Sequence, residues 1–483
     1  MFDVVIIGCG IIGAALSYEL SKYELRVLAL EKENDVANAA TKANSAIIHA
    51  GYDPEPGTLM ARLNAEGNRL AKEIFEKLDV PYKPCGSLVL AFSDKEIPVL
   101  QRLLKNGRAN GVEGLEILTR QQVLEREPNI GGSVTAALYA PSAMVVSPWE
   151  YTLALLETAV KNGVEVRLEC AVTGIEKTND GYKLKTGGGD VGARFIVNAA
   201  GLYADKIHDM IAEKAFEIRP DRGEYYLFDK SEGTRVRYVV FQCPTETGKG
   251  VLVAPTVHGN LIAGPNSEPL PDRGDVSTTA EGLGVVMEKA RKSVPELDFR
   301  ASIRNFSGNR AHSGQSDFII REAKGAPGFI DLAGIKSPGL SAAPAIAKMA
   351  AEILGDSGLE LREKPDFYDK RKRVRFHELT TGEKASLAAK KPAYGRVICR
   401  CETVTEGEIL DALNAPIPPR SVDAVKRRCN AGMGRCQGGF CGPRVLEILA
   451  GHYKCEPTEI LQDKAGTYIL DSETKHGGDT HGC

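Results

Sequence analysis

Nothing constrains this chain more than its opening stretch, FDVVIIGCGIIGAALSYELSKYELRVLALEKE, residues 2–33. DVVII is a short apolar run suited to a buried parallel strand. Gly8, Gly10 and Gly13 follow with the spacing GxGxxG, AALSYEL reads as helix, and RVLALE reads as a second strand ending at Glu31. Each glycine has a task. Gly8 permits a tight turn, Gly10 lets a pyrophosphate approach the backbone, and Gly13 lets the helix pack closely on the strand. The helix start at Ile11 and Ile12 turns amide N–H groups and a positive dipole end toward phosphates. Glu31, with Lys32 beside it, stands about 20 residues beyond the glycines, where an acid accepts hydrogen bonds from ribose hydroxyls. Strand, turn, helix, second strand and acidic end together favour a bound dinucleotide over an empty glycine-rich turn. The fingerprint alone fits NAD as well as FAD.

Length and composition set the frame. A chain of 483 residues suggests two or three domains. Hydrophobic residues at 43% and charged residues at 26% are those of a globular protein. A net charge of −3 gives no electrostatic footprint for nucleic acid. No run is apolar and long enough to span a bilayer. The first twenty residues are interrupted by Asp3 and three glycines and lack a basic leader, so a cytoplasmic location is expected. Any place at a membrane would come through a partner.

The 11 cysteines do not form a secreted disulfide framework. Cys9, Cys85, Cys170 and Cys243 are scattered and read as small buried residues. Cys399, Cys401, Cys429, Cys436, Cys441 and Cys455 are crowded. Their core is C-x-C, then 34 residues, then C-x4-C in glycine-rich sequence. Zinc ribbons use C-x2-C knuckles, and a redox dithiol uses C-x-x-C beside a strand–helix unit, so both fit poorly. Two tight thiolate pairs suit a [2Fe–2S] cluster. EGEILDALN and PRVLEILAGHY read as flanking helices.

Two more strand–turn–helix segments accompany the first: ARFIVNAAGLYAD and GFIDLAGIKSPGLSAAPAIAKMA. With AATKANSAIIHAGYDPEPGTLMARLNAEG, they make residues 1–360 resemble the FAD-dependent amino-acid and hydroxy-acid oxidase superfamily, which includes glycerol-3-phosphate and L-2-hydroxyglutarate dehydrogenases. The resemblance implies an α/β fold: a glutathione-reductase-like FAD domain carrying an inserted antiparallel substrate sheet. The FAD domain would take residues 1–80, 145–215 and 325–360, and the substrate domain residues 81–145 and 216–320. GSLVLAF, EYYLF, RYVVF and GVLVAP read as strands of that sheet. FAD contacts are implied at the glycine turn, Glu31, Lys32, Thr41, Asn44, Ser45, Val172, Ala200, Gly201, Gly334, Ile335, Lys336, Gly339 and Leu340.

The tail resembles the bacterioferritin-associated-ferredoxin-like domain, which implies a small helical [2Fe–2S] domain over residues 397–455. That pattern assigns Cys399, Cys401, Cys436 and Cys441 as ligands and leaves Cys429 as a nearby fifth thiol. Residues 361–396 read as a basic linker and 456–483 as a tail.

Flavin oxidation of an alcohol needs a base, and an anionic substrate needs cations. His49, in IIHAG, lies beside the flavin in the resembled family. Arg310, in FSGNRAHS, matches the arginine placed over the flavin for a substrate anion, and its planar fork suits carboxylate or phosphate. Arg222 and Tyr225, in RGEYYLF, are expected on the substrate sheet, and Lys336 in the flavin-facing turn. His258 and His312 are weaker candidates. Local motifs look most like L-2-hydroxyglutarate dehydrogenases, and Asp53 stands near the place where glycerol-3-phosphate enzymes carry an arginine. The cysteine-rich fusion looks like the catalytic subunit of anaerobic glycerol-3-phosphate dehydrogenases. The expected function is thus an FAD-dependent dehydrogenase of glycerol 3-phosphate that passes electrons to an accepting protein. A 2-hydroxy-acid or amino-acid dehydrogenase is the alternative, and a scaffold without turnover is a third reading.

Overall fold

The computed structural model describes residues 1–244 and 250–472. Two compact units emerge: the first holds residues 1–32 and 36–372, the second residues 33–35 and 373 onward.

The first unit is built on two large sheets. In one, five strands run parallel in the order Glu165–Arg167, Val27–Leu30, Phe2–Ile7, Val191–Asn198, Phe329–Ala333. Their apolar runs fit burial on both faces. An antiparallel hairpin, Val172–Thr178 and Gly181–Thr186, extends it beside Val191–Asn198. The helix Gly339–Asp356 packs against both Ile11–Leu20 and Leu59–Lys77. Gly67 makes this possible, because a Cβ there would collide with the Ser341 carbonyl.

The second sheet has nine strands. Its spine is Arg219–Phe228 paired antiparallel with Ser302–His312 over almost their whole length. The sheet is not wholly antiparallel: Val239–Gln242 runs parallel to Ser87–Ala91. Side chains alternate across a strand, so odd and even positions of 219–228 face opposite sides. Tyr226 and Phe228 enter an apolar core with Leu88, Val240, Val253 and Val286. Asp221, Gly223 and Tyr225 face the other way.

The second unit contains a short strand pair, Val397–Cys399 with Val404–Thr405, and the helices Glu406–Leu413, Val422–Cys429 and Gly442–Tyr453. Each of the first two helices starts at a hydroxyl cap: Thr405 accepts from Glu408 N–H and Ser421 from Ala424 N–H. The stretch read as a linker contains a helix, Thr381–Lys390, with a Thr380–Glu383 capping box. Phe376 and Tyr394 flank it and are buried, and burying two aromatics is what gives a basic stretch fixed structure. Asp35 is buried between Arg427 and Arg428. Burial alone would raise its carboxyl pKa, but the two guanidinia outweigh it and bring the group down to about 2. Residues 473–483 of the tail lie outside the described residues. Among the described residues no helix is long and apolar enough to cross a membrane.

Candidate functional site

The glycine turn has the shape its spacing demands. Gly8 sits at φ +104°, where a Cβ would come within 2.6 Å of the Ala199 carbonyl oxygen. At Gly13 a Cβ would collide with the Gly8 carbonyl. Gly10 caps the helix that begins at Ile11, and Ile11 N–H donates to Thr41 Oγ1 at 3.0 Å. Glu31 Oε2 accepts from Cys9 N–H at 2.9 Å, which brings the acidic strand end onto the turn. Lys32 Nζ lies 4.3 Å from the Tyr203 ring centroid. Ala200 and Gly201 follow the strand ending at Asn198, and Ala200 N–H donates to Asn198 Oδ1 at 3.3 Å. Val172 opens the neighbouring hairpin strand. A helix N-terminus, a turn with no room for a Cβ at Gly8 or Gly13, and a carboxylate beside it fit the pyrophosphate and ribose of FAD.

The third turn, residues 334–339, meets the segment after Thr41. His49 N–H donates to Ser341 Oγ at 2.7 Å, and His49 Nε2 lies 3.4 Å from Ser337 Oγ. The His49 ring stacks on Phe241 with centroids 5.8 Å apart. A small cleft opens beside it, lined by Asp53, Asn64, Ser337 and Pro338 among others. Gly334 is at φ +63°, with Ser313 packed where a Cβ would be. Ile335 and Leu340 are half-buried around Gly339, which opens the following helix.

The long strand pair carries the cations. Arg310 stands opposite Asp221 and donates to it from Nη1. Its Nη2 donates to the Asn266 carbonyl at 3.1 Å. Tyr225 stacks on Phe306 at 4.7 Å, and its hydroxyl is 3.2 Å from Ser45 Oγ. Asn44 turns inward to the backbone, accepting from Ala46 N–H and donating to Thr41 O. Lys336 Nζ lies 3.5 Å from His312 Nδ1. Burial, then Lys336 and Arg310, push the His312 imidazole below its ordinary pKa, and Asp221 opposes them.

Arg222 does not join this group, contrary to the sequence expectation. One residue from Asp221, it falls on the opposite face, where it is buried among Glu224, Glu268, Asp275 and Ser277. Arg222 and Tyr225 are three apart on a strand, so they cannot share a face. His258 is also elsewhere, 3.4 Å from Glu150 and stacked on Trp149. Sequence reasoning missed Asp221, and it missed Gly223 and Gly308, a registered glycine pair. A Cβ on Gly308 would collide with the Ala43 carbonyl, and one on Gly223 would come within 2.5 Å of Arg310 Nη2. A glycine inside a strand pattern is the signal that marks such close approaches.

In the second unit the four expected ligand thiols form two pairs. Cys401 Sγ and Cys436 Sγ are 3.7 Å apart. Cys441 donates to Cys399, which lowers the Cys399 thiol pKa and raises that of Cys441. Cys436 is lowered by N–H bonds, first from Phe440 and also from Gly438. Two thiolates on one tetrahedral metal with bonds of about 2.3 Å would sit roughly 3.7–3.8 Å apart, so the spacing of Cys401 and Cys436 fits one iron of a two-iron cluster. Among the described residues no three His, Cys, Asp or Glu side chains are grouped to hold a single metal ion. Cys399 and Cys441 are buried, Cys436 is half-buried and Cys401 is exposed. Cys429 is apart from the pairs in its bonding: it donates to the Val425 carbonyl at 3.3 Å, and burial pushes its thiol up to about 12.

Comparison with known proteins adds the following. The FAD dependent oxidoreductase model matches residues 3–353, and the BFD-like [2Fe-2S] binding domain model matches residues 397–451. A glycerol 3-phosphate dehydrogenase of Caloramator mitchellensis is 52% identical over 98% of this chain and 99% of its own. The L-2-hydroxyglutarate dehydrogenase of Escherichia coli K12 is 33% identical over 55% of this chain and 64% of its own. Among solved structures, dithionite-reduced L-alpha-glycerophosphate oxidase from Mycoplasma pneumoniae with FAD bound superposes with a TM-score of 0.73. It shows 33% identity over 76% of this chain and 98% of that one.

Proposed function

This chain belongs to the FAD dependent oxidoreductase family and carries a BFD-like [2Fe-2S] domain, and from that premise we propose that it oxidises sn-glycerol 3-phosphate to dihydroxyacetone phosphate and passes the electrons to a protein acceptor. The observation that carries this reading is the meeting of His49 with the turn that bears Lys336, beside the strand bearing Arg310. The dehydrogenase of Caloramator mitchellensis supports it, being similar along both units.

Bound FAD supplies a two-electron acceptor, and the cluster supplies a one-electron exit. The chain supplies the rest. His49 takes the hydroxyl proton at Nε2, the nitrogen facing Ser337. Arg310 and Lys336 hold the substrate anion, and Tyr225, fixed by Phe306, borders the reacting carbon. Gly8, Gly10, Gly13, Glu31 and Thr41 hold the dinucleotide. Cys399, Cys401, Cys436 and Cys441 hold the cluster.

A second reading, L-2-hydroxyglutarate as substrate, is favoured by one observation: Asp53, not an arginine, lines the cleft beside His49. Anaerobic stopped-flow mixing with each compound separates the two. Flavin bleaching within the turnover time by glycerol 3-phosphate, and not by L-2-hydroxyglutarate, is expected. The reverse result would replace the first reading by the second.

A further inference from the structure

A chain of charged groups crosses the candidate anion site, and the reaction as described uses only its two ends. Asp221 accepts from Arg310 Nη1 and from Ser267 Oγ at 2.7 Å. His312 Nε2 lies 3.8 Å from Asp221 Oδ2, the oxygen that accepts from Arg310, whereas Ser267 donates to Oδ1. On the other side of the ring, Nδ1 is 3.5 Å from Lys336 Nζ. Arg310 and His312 are two apart on one strand and so share a face. The order is therefore Arg310, Asp221, His312, Lys336.

The chemistry of each atom fixes the state of the ring. An ammonium group has donors and no acceptor, so contact with Lys336 requires Nδ1 to present its lone pair. The ring proton then sits on Nε2, toward Asp221. The groups facing His312 are Lys336 from the turn, Asp221 from the neighbouring strand and Arg310 from its own strand. Two of the three are cations and the ring is half-buried, which together favour the neutral imidazole near neutral pH. With that ring neutral, the four residues carry one net positive charge. A phosphate monoester carries close to two negative charges at pH 7, its second pKa being about 6.

We propose that His312 is a positioning residue of the anion site: neutral, it orients Lys336 through Nδ1, and it takes up a proton when a dianionic phosphate ester binds. The proton comes from the buffer and ends on Nδ1. Lys336 then loses its lone-pair partner and turns its N–H bonds to the phosphate. A carboxylate, with a single charge at that place, drives less uptake. The inference rests on the reading that Arg310 and Lys336 hold the substrate anion.

The test is titration calorimetry of the full-length FAD-loaded enzyme with glycerol 2-phosphate, in buffers of differing ionisation heat at one pH. A buffer-dependent heat corresponding to net proton uptake is expected in the wild type and is lost in His312→Asn. Affinity for the ester should fall as pH rises from about 6.5 to 8.5 in the wild type and be flat over that range in His312→Asn. The variant should also raise KM for glycerol 3-phosphate several-fold with a much smaller change in kcat. Equal heats in all buffers for the wild type, or undiminished uptake in His312→Asn, would overturn the proposal. If the variant loses FAD, the wild-type heats and pH dependence decide alone. Arg310→Ala separates the two levels: an unchanged KM defeats the anion-site reading itself, whereas a raised KM without wild-type proton uptake defeats only the role of His312.

Discussion

Asp221 and Arg310 stand directly opposite each other on the paired strands Arg219–Phe228 and Ser302–His312, and the carboxylate accepts a hydrogen bond from the guanidinium. Part of the fork is thereby spent inside the protein, and its plane is fixed before substrate arrives. Gly223, two residues from Asp221, leaves the space in which that plane lies.

Gly223→Ala should therefore act on substrate binding and not on cofactor content. Its Cβ would stand 2.5 Å from Arg310 Nη2 and 2.7 Å from Pro265 Cβ, so the guanidinium must move. Losing a hydrogen bond to a charged group costs about 1.5–3 kcal/mol, or roughly 10- to 150-fold in KM. Steady-state kinetics alongside the flavin absorbance of the purified variant checks this. A normal KM would detach Arg310 from the substrate.

His49→Asn should keep FAD and lose rate. Removing a positioned base costs about 10²–10⁴-fold. Anaerobic flavin bleaching by the substrate should slow by that range, while dithionite still reduces the flavin at once. Bleaching at the wild-type rate would move the base elsewhere.

At the glycine turn, two alanine substitutions should differ in kind. Gly13→Ala drives a Cβ into the Gly8 carbonyl, so helix and strand must part, and both flavin content and melting temperature should fall. Gly10→Ala meets only Thr41 Oγ1 at 3.2 Å within the protein. It should fold almost normally and yet lose FAD, because the second glycine of such a turn is where a pyrophosphate comes up against the backbone. The 450 nm absorbance per chain and a melting scan read both outcomes.

The part of the molecule that was legible in sequence is the part governed by short-range pattern. Residues 2–31 carry strand, turn, helix and acidic end within one βαβ span, and a dinucleotide-binding class of fold follows from it. The spacing of the crowded thiols likewise suits a [2Fe–2S] cluster, and the resemblance to a ferredoxin-like domain implies which four would hold it. The charge chain was not legible, because its members lie on two strands and a turn far apart in sequence. His312 and Lys336 are 24 positions apart, and Asp221 is 89 from Arg310. Arg222 was misread for a related reason. Motif position says that a residue is on a strand, but only the register says which face it takes. Asp35 is the extreme case, 393 positions from Arg428.

Cys436→Ser and Cys429→Ser should separate ligand from bystander. The first removes a thiol 3.7 Å from Cys401 and should reduce iron per chain and change the visible spectrum. The second removes a buried thiol whose hydrogen bond ends on the Val425 carbonyl, and serine can make the same bond. Anaerobic iron and sulfide analysis decides. Iron lost from Cys429→Ser and retained in Cys436→Ser would exchange their roles.

Asp35 predicts an acid limit for the second unit. Its pKa, near 2, lies below the ordinary carboxylate value, so its contribution is fully present above about pH 4 and is lost as pH falls toward 2. Asp35→Ala leaves Arg427 and Arg428 buried beside an absent carboxylate, which costs about 3–5 kcal/mol. Calorimetry of the full chain should show one transition lowered by the variant, and that transition should lose its acid-side pH dependence. An unaltered transition would mean that water or Asp463, 2.9 Å from Arg427, replaces the lost partner.

The unequal burial of the thiol pairs sets a timetable for damage. Cys401 faces solvent, whereas Cys399 and Cys441 are sealed within apolar packing. Oxygen, peroxide and chelators thus arrive from a single direction, and they meet Cys401 and Cys436 first. A [2Fe–2S] cluster held here would share its bridging sulfides between both irons, so bleaching in air should begin at the open end and run as one phase. The lifetime of the preparation would then be set by access to Cys401, and substitutions that cover this thiol without replacing a ligand should lengthen it.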